Sequence, residues 1–261
     1  MIKYLLIALL GIFIYSFIEY RWLKNVYLKP IDFDTKHKIP DGLKGKRIIF
    51  ISDLQFDHKR RPFLHGAARN LVRRVNALKP DLVLLGGDYI HQEGKQNTPI
   101  FEYINSINAP KVAVLGNHDY REYEKSVTML QDIGVTVLIN EIYNYHGLDI
   151  IGVDDAIKGV PVFPIHEDNL SILLTHNPDY FEKLPKSTYV DMALAGHLHA
   201  GQVTLFGLYA PITNSEFDQT LVHGMIRRPQ GSMYVSSGVG GTVGMLPIRF
   251  FARPEIVILD F

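Results

Sequence analysis

Five apolar stretches of this sequence each end in a small residue that is followed by a side chain able to bind a metal ion. The stretches and their followers are RIIFIS with Asp53, LVLLGG with Asp88, VAVLG with Asn117 and His118, ILLT with His176, and MALAG with His197 and His199. Each stretch has the apolarity and length of a buried β-strand, and a single Asp or Asn after a strand is an ordinary turn or cap residue. Capping does not explain why a histidine follows three separate strands. The repetition therefore predicts a ligand cluster at one edge of a sheet.

The residue types in this cluster indicate which ions it would bind. Two carboxylates, three imidazoles and an amide oxygen suit manganese, iron, zinc or magnesium rather than copper(I) or an iron–sulfur cluster. Six ligands are too many for one ion that must leave room for a substrate. They fit two ions about 3.5–4 Å apart that share a bridging carboxylate, an arrangement that binds and activates phosphate esters. We therefore expect a two-metal centre with a phosphorylated substrate.

In this order, the motifs resemble those of the calcineurin-like metallophosphoesterases. The family pattern is D-x-H, G-D-x-x, G-N-H-D/E, a later single His and G-H-x-H. It appears here as Asp53-Leu54-Gln55, Gly87-Asp88, Gly116-Asn117-His118-Asp119, His176 and Gly196-His197-Leu198-His199. AGHLHAGQ and the C-terminal GVGGTVGMLPIRFFARPEIVILDF also resemble a bacterial subgroup of membrane-attached or exported phosphoesterases. The resemblance spans about residues 47 to 261 and implies a hydrolase in which a hydroxide bridging two metal ions attacks a phosphoester.

The resemblance also implies a role for each ligand. Asp88 bridges the ions, Asp53 and His199 complete one site, and Asn117, His176 and His197 complete the other. His118 lies beside the leaving-group oxygen as a charged stabiliser or general acid, or else only orients other groups. Many relatives orient this histidine with an Asp three residues after the bridging carboxylate. This sequence has His91 there, which leaves the orientation of His118 open.

Gln55 is the main departure from the family pattern, which has His at this position. An amide can coordinate through its oxygen but is a weaker donor than imidazole to a transition metal. Gln55 is therefore a weak candidate ligand, and Asp57 or His58 is an alternative that needs a loop excursion. If Gln55 coordinates, we expect looser binding of the first ion and a preference for manganese or magnesium over zinc.

The alternation of elements predicts an α/β fold. Strands over 47–52, 81–85 and 111–115 alternate with helices over 64–78, 100–107 and 122–133, which favours parallel pairing. Short strands over 135–138, 148–153, 170–175, 191–195, 233–236 and 256–259 then follow with few helices between them, which predicts a second, more antiparallel sheet. With the family resemblance, this gives a four-layer αββα sandwich of two mixed sheets flanked by helices.

The N-terminus, MIKYLLIALLGIFIYSFIEYRW, has an uncharged run from Tyr4 to Ile18. Fifteen helical residues reach roughly 22 Å, which is short of a ~30 Å hydrocarbon core. A signal peptide and a core helix are alternatives, but the run has neither small residues before a cleavage site nor a polar face. We expect a membrane anchor over 1–28, a connector over 29–46 and a catalytic domain over 47–261. The side of the membrane stays open.

Composition narrows the function further. The chain has no cysteine, which excludes disulfides and thiolate sites, and 27 basic against 27 acidic side chains, which argues against a nucleic-acid partner. We expect hydrolysis of a phosphodiester, pyrophosphate or phosphomonoester on a small-molecule, nucleotide-type or lipid-linked substrate. Manganese is the expected ion, with magnesium, iron or zinc as alternatives. The rival function is a metal-weakened relative that binds a phosphorylated ligand without turnover.

Several apolar residues in the C-terminal half have two interpretations. They are Phe206, Leu208, Tyr209, Met225, Met245, Phe250 and Phe251. These side chains can line an apolar substrate groove or pack the second sheet, and we expect packing.

Overall fold

Two six-stranded β-sheets pack face to face in the computed structural model of the chain, and helices cover their outer faces. The structure describes residues 1–29, 32, 35–57, 63–94, 97–166 and 168–261. The predicted four-layer αββα arrangement of two mixed sheets is confirmed. His58, the predicted alternative ligand to Gln55, lies outside the described residues.

The first sheet has the strand order β1-β12-β2-β3-β4-β5. Its strands are β1 (Lys24–Leu28), β2 (Arg47–Ile51), β3 (Leu82–Leu85), β4 (Lys111–Ala113), β5 (Val135–Val137) and β12 (Glu255–Asp260). Strands β2 to β5 pair in parallel, and only the β12–β2 pair is antiparallel. β1 lies within the segment 1–28 that the sequence assigns to the anchor. The first sheet thus takes an edge strand from that segment.

The second sheet has the strand order β10-β11-β9-β8-β7-β6. Its strands are β6 (Glu141–Tyr145), β7 (Leu148–Gly152), β8 (Ser171–Leu174), β9 (Met192–Ala195), β10 (Gly224–Arg228) and β11 (Gly231–Val235). The central pairs are parallel, and the two outer pairs, β6–β7 and β10–β11, are antiparallel. Parallel strands buried on both faces explain why β7, β8 and β9 read as continuous apolar runs.

Helices α2 (Leu64–Ala77), α3 (Pro99–Asn105) and α4 (Tyr123–Asp132) pack on the outer face of the first sheet, and the short α5 (Asp179–Lys183) lies on the second. The predicted stripe of α2, which includes Leu64, Leu71 and Val75, is buried. Between the sheets, alternate strand residues such as Phe50 and Leu84 meet Ile172 and Leu194. This packing holds the carboxyl ends of β2, β3, β4, β8 and β9 at one edge, where the predicted ligands follow.

The N-terminal helix α1 spans Ile2–Arg21 and is longer than the uncharged run. Its 20 residues correspond to roughly 30 Å, and it is long and apolar enough to cross a membrane. Residues 1–15 are exposed, whereas Ser16, Glu19 and Tyr20 are buried against the body. The Ser16 carbonyl accepts a bond from the Arg249 N–H at 3.0 Å, and Glu19 Oε2 accepts one from the Phe251 N–H at 2.7 Å. Only the C-terminal end of α1 is therefore docked.

Candidate metal centre

A cavity of about 900 Å³ opens at the sheet edge where the five ligand-bearing strands end. Its polar lining includes Gln55, Asp88, His91, Asn117, His118, His197 and His199. Asp53 and His176 lie beneath it, fully buried. The structure thus brings all of the predicted site residues to one place.

Asp53, Asp88 and His176 form the centre of the cluster. One potential ligand atom from each lies within 4.8 Å of the others. Asp53 is held in place because its carboxylate accepts bonds from Ser52 Oγ at 2.6 Å and from the His197 N–H at 3.1 Å. Two carboxylates and an imidazole fixed this close together, in a buried site, match the ligand chemistry of divalent metals.

Beside Asp88, three residues form the group that we call the histidine half of the centre: Asn117, His176 and His197. His176 Nε2 lies 3.4 Å from Asp88 Oδ1 and 3.3 Å from His197 Nδ1. The other ring nitrogen of His176 donates to the Gly86 carbonyl at 2.8 Å, which fixes the ring and leaves Nε2 facing the cluster. The Asn117 Oδ1 atom is buried without a hydrogen-bond partner, so an ion in this half would satisfy it.

The charges of the histidine half are set by burial and by Asp88. Burial favours neutral His176, but the adjacent Asp88 carboxylate raises the pKa of His176 well above its ordinary value. Burial likewise opposes ionisation of Asp88, yet His176 and His118 hold the pKa of Asp88 below its usual range. Burial lowers the pKa of His197 to about 4, with help from the charge of His176. Without metal, the half therefore contains one imidazolium and one neutral imidazole at neutral pH.

On the other side of Asp88 lies the amide half, formed by Asp53, Gln55 and His199. His199 Nε2 is 3.5 Å from Asp53 Oδ1. Gln55 faces the site, with its Nε2 at 3.0 Å from His199 Nε2 and 3.2 Å from Asp88 Oδ2. Burial lowers the pKa of His199 to about 4. Gln55 thus occupies the position from which the family pattern presents an imidazole.

Arg249, which the sequence analysis did not identify, contacts the amide half from behind. Its fully buried guanidinium donates to the carbonyls of Ser237 at 2.7 Å and Ala252 at 2.9 Å, and its Nη2 lies 3.3 Å from His199 Nδ1. No local motif marks this residue, because its carbonyl partners are backbone groups and its contact with His199 joins positions 50 residues apart.

His118 is held at the rim of the cavity. Its Nδ1 donates to the His91 carbonyl at 2.6 Å, and its Nε2 lies 3.9 Å from Asp88 Oδ2. The two rings also stack with centroids 5.0 Å apart. His91 therefore orients His118 through its backbone oxygen, whereas many relatives use an Asp side chain at this position. A rule based on side chains could not have found this contact.

Asp119, the last residue of the GNHD motif, fixes the backbone around Asp88. Its buried carboxylate accepts bonds from the N–H groups of Asp88, Tyr89 and Gly116 at 2.8 to 2.9 Å. Burial and the charge of Asp88 raise the pKa of Asp119 to about 7, against the effect of these N–H groups, which favour its ionised form. Asp119 holds two ligand-bearing loops together without reaching the cavity.

The backbone at the site is strained in a consistent way. Five site residues adopt positive φ between 44° and 69°: Asp53, Gln55, Asp88, His197 and His199. Such conformations are uncommon outside glycine and cluster at functional sites. Gly116 is required by close approach, since a Cβ there would lie 2.3 Å from Asp88 Oδ1 and 2.8 Å from His176 Cε1. Strain and crowding at the predicted ligands favour a functional over a purely structural role.

Most of the apolar residues that we expected to pack the second sheet do not do so. Phe206, Leu208, Tyr209, Met245 and Phe251 are exposed; Phe250 is partly buried, and Met225 packs between the sheets. The packing prediction is therefore wrong for the loops around 206–209 and 245. Leaving a large apolar side chain in water forgoes about 1.5–3 kcal/mol of burial free energy, so an exposed cluster calls for a reason.

Comparisons with known proteins agree with the geometry. The family model for calcineurin-like phosphoesterase matches residues 46–201. The metallophosphoesterase YkuE of Bacillus subtilis (strain 168) is 29% identical over 89% of this chain and 86% of its own. A metallophosphoesterase of Helicobacter pylori (strain 26695) is 31% identical over 97% of this chain and 68% of its own. The phosphodiesterase YaeI of Escherichia coli (strain K12) is 30% identical over 90% of each chain.

Proposed function

The chain belongs to the calcineurin-like phosphoesterase family and is a metal-dependent phosphoester hydrolase, and from that premise we propose how its site works. The proposal is hydrolysis of a phosphodiester, pyrophosphate or phosphomonoester with two divalent ions held at the sheet edge. The observation that carries it is the buried Asp53–Asp88–His176 cluster next to the unpartnered Asn117 Oδ1.

In this proposal, Asp88 lies between the two halves and would contribute its carboxylate to both ions. Asn117, His176 and His197 would hold one ion. Asp53 and His199 would hold the other, with Gln55 as a weak additional ligand through its amide oxygen. Bound divalent ions neutralise phosphate oxygens and lower the pKa of water, which is the chemistry that this reaction needs.

The remaining work falls to the protein's own groups. His118 is the proposed general acid: its Nδ1 is held by the His91 carbonyl, so Nε2 is the atom that can deliver a proton to the leaving-group oxygen. Asp119 and Gly116 keep the loops of Asp88 and His118 at a fixed separation. Preorganised groups of this kind act without rearrangement during the reaction.

Manganese is the proposed ion, with magnesium, iron or zinc as alternatives. Replacement of an imidazole by the amide of Gln55 removes a nitrogen ligand that zinc binds well and keeps an oxygen that harder ions accept. The substrate proposal stays broad: a phosphorylated small molecule, of nucleotide type or linked to a lipid, with no nucleic acid expected as partner.

A second candidate function rests on the same residue. Gln55 and Arg249 both place hydrogen-bond donors on His199. If these donors prevent an ion from binding in the amide half, the protein binds a phosphorylated ligand without turnover.

We also propose that α1 attaches the enzyme to a membrane, while residues 47–261 with strand β1 form the catalytic body. The length, apolarity and exposure of α1 support this proposal. The charged residues that flank α1 do not strongly favour either side of the membrane for the catalytic body.

The test uses the full chain in detergent, because β1 lies between α1 and the rest of the first sheet. Metal-stripped protein is assayed on bis(p-nitrophenyl) phosphate and p-nitrophenyl phosphate with manganese, magnesium or zinc added back. His197→Asn is compared with His146→Asn, a matched change at an exposed histidine that also has positive φ. Metal-dependent turnover that His197→Asn loses and His146→Asn keeps supports the proposed hydrolase. Absence of turnover in a protein with two ions bound supports the second candidate, a protein that binds a phosphorylated ligand without hydrolysing it.

A further inference from the structure

The exposed apolar loops form one continuous surface beside the cavity. We call it the docking face and define it as loops 203–212 and 243–246 together with Phe251. In the part of the chain that the structure describes, most of the exposed large apolar side chains outside α1 belong to it. Leu208 is 89% exposed, Phe206 67% and Met245 63%. A patch of this kind on a soluble surface marks an interaction site.

The docking face is joined to α1 by a chain of aromatic contacts. The Tyr15 ring on α1 lies 5.7 Å from Phe250 and 5.6 Å from Phe251, measured between centroids. Phe251 in turn lies 5.3 Å from Phe206 in the first loop. The apolar surface of the helix therefore continues onto the body through these rings.

The length of α1 then determines where the docking face must lie. Its first buried residue is Ser16, so only residues 2–14 project freely, and 13 helical residues reach about 20 Å. This is less than the ~30 Å hydrocarbon core, whereas the whole helix matches it. To immerse all of α1, the bilayer must also reach Tyr15 and the phenylalanines packed against it.

We propose that the docking face is a second membrane contact, immersed in the same leaflet that receives the C-terminal end of α1. The partner is thus the lipid bilayer itself. Residues at the end of α1 fit a headgroup region: Trp22 is exposed, the Arg253 guanidinium lies 4.0 Å from its ring centroid, and Arg21 is exposed beside it. Trp and Arg with this arrangement are typical of the membrane–water interface.

This placement has a consequence for the substrate, which rests on the proposed function. Val203, Ile212 and Val243 belong to the docking face and also line the cavity that is bordered by the predicted metal ligands. The cavity therefore opens beside the bilayer, with an apolar wall leading to a polar floor. That geometry suits a phosphoester with an apolar chain that approaches from the lipid.

The absence of cysteine allows a direct test in the full chain. The variants Leu208→Cys and Met245→Cys each carry a single cysteine, which is labelled with bimane. The labelled proteins are placed in vesicles of phosphatidylcholine and phosphatidylglycerol whose acyl chains are either plain or brominated. Ile7→Cys reports insertion of α1. Ser187→Cys is the control, because it is exposed in the loop that precedes β9, at the opposite edge of the sheet from the cavity. Turnover of bis(p-nitrophenyl) phosphate in detergent is measured separately for each labelled protein.

We expect brominated lipid to lower the fluorescence at positions 7, 208 and 245 at least twofold and to leave position 187 unchanged. Quenching at position 7 alone overturns the docking face but keeps the membrane helix. No quenching at any position overturns both. A blue-shifted label at 208 or 245 that lipid does not quench indicates a protein partner, such as a second copy, and also overturns the inference. The turnover measurement reports on the proposed function independently of all these results.

Discussion

The two halves of the proposed metal centre flank Asp88 but differ in what surrounds them. In the histidine half, both nitrogens of His176 face acceptors or ligand positions, and Asn117 presents an unpartnered oxygen. In the amide half, His199 has a hydrogen-bond donor against each ring nitrogen, from Gln55 and from Arg249. The histidine half already presents its ligand atoms to the cluster, while the amide half must first rearrange its hydrogen bonds.

The tautomer of His199 shows why this matters. A guanidinium can only donate, so Arg249 favours the form of His199 in which Nδ1 accepts, whereas the Gln55 amide N–H favours the form in which Nε2 accepts. A neutral imidazole cannot accept at both nitrogens. Coordination through Nε2, the nitrogen that faces Asp53, needs the Gln55 N–H to turn away and leaves a protonated Nδ1 against Arg249. Binding in the amide half therefore has a cost in rearranged hydrogen bonds, whereas the histidine half has the cost of displacing a proton from His176. Two sites with similar numbers of ligands can therefore have unequal affinities for the same ion.

The largest effect is expected at the shared carboxylate. Asp88→Asn removes the charge that both halves use, and we expect kcat/KM to fall by about 10³-fold or more. Equilibrium dialysis should show that both ions are lost. Asp260→Asn, at a partly exposed ion pair with Arg47, is the control and should keep activity. Retention of either ion by Asp88→Asn would show that the halves are independent.

Matched substitutions in the two halves test the comparison itself. His197→Asn and His199→Asn change the same residue type at similar backbone angles, φ 69° and 51°. We expect His197→Asn to weaken binding of the tighter ion by more than about 100-fold, and His199→Asn to weaken the looser one by about tenfold. The measurement is metal titration of each variant. The reverse order would assign the tight site to the amide half.

Gln55→His restores the family residue and should make the halves more alike. We expect the looser ion to bind about tenfold more tightly, since imidazole is the better donor. Gln55→Leu, which keeps the bulk without a donor atom, should not tighten it. If Gln55→His binds the looser ion no more tightly than the unmodified protein does, the side chain at position 55 does not reach the ion.

The pH dependence of metal affinity should also differ between the two halves. Because Asp88 raises the pKa of His176, the metal-free histidine half carries a proton that an ion must displace. Affinity in this half should fall as pH falls below that raised pKa, by roughly tenfold per pH unit for one proton. His199, with its pKa lowered to about 4, releases none above about pH 5. Calorimetry in buffers of different ionisation enthalpy measures the proton released with each ion.

The sequence predicted the parts of the molecule whose signals are local. Each predicted ligand follows an apolar strand, so the candidate site residues and the strands that carry them could both be read from the sequence. The missed strands β1, β6 and β10 contain mostly partly exposed residues, which lack the apolar run of the central strands. The sequence also did not reveal the roles of Arg249 and the His91 carbonyl. Both groups act on a histidine of the site through tertiary contacts, which no local pattern indicates.

The docking face shows a further limit of sequence patterns. Apolar residues such as Leu208 and Met245 normally predict burial, so the pattern favoured packing of the second sheet. Their exposure becomes apparent only when the loops are placed at the rim of the cavity. An apolar side chain in a loop has no periodicity that could indicate which surroundings it will have.

The most direct test of the unequal two-metal centre is a manganese titration of the metal-stripped full chain, with bound ion and turnover of bis(p-nitrophenyl) phosphate followed in the same samples. The account predicts two ions per chain with separable affinities, and turnover that appears only as the second, weaker site fills. Turnover that is complete with one ion bound would contradict it, as would two ions of equal affinity.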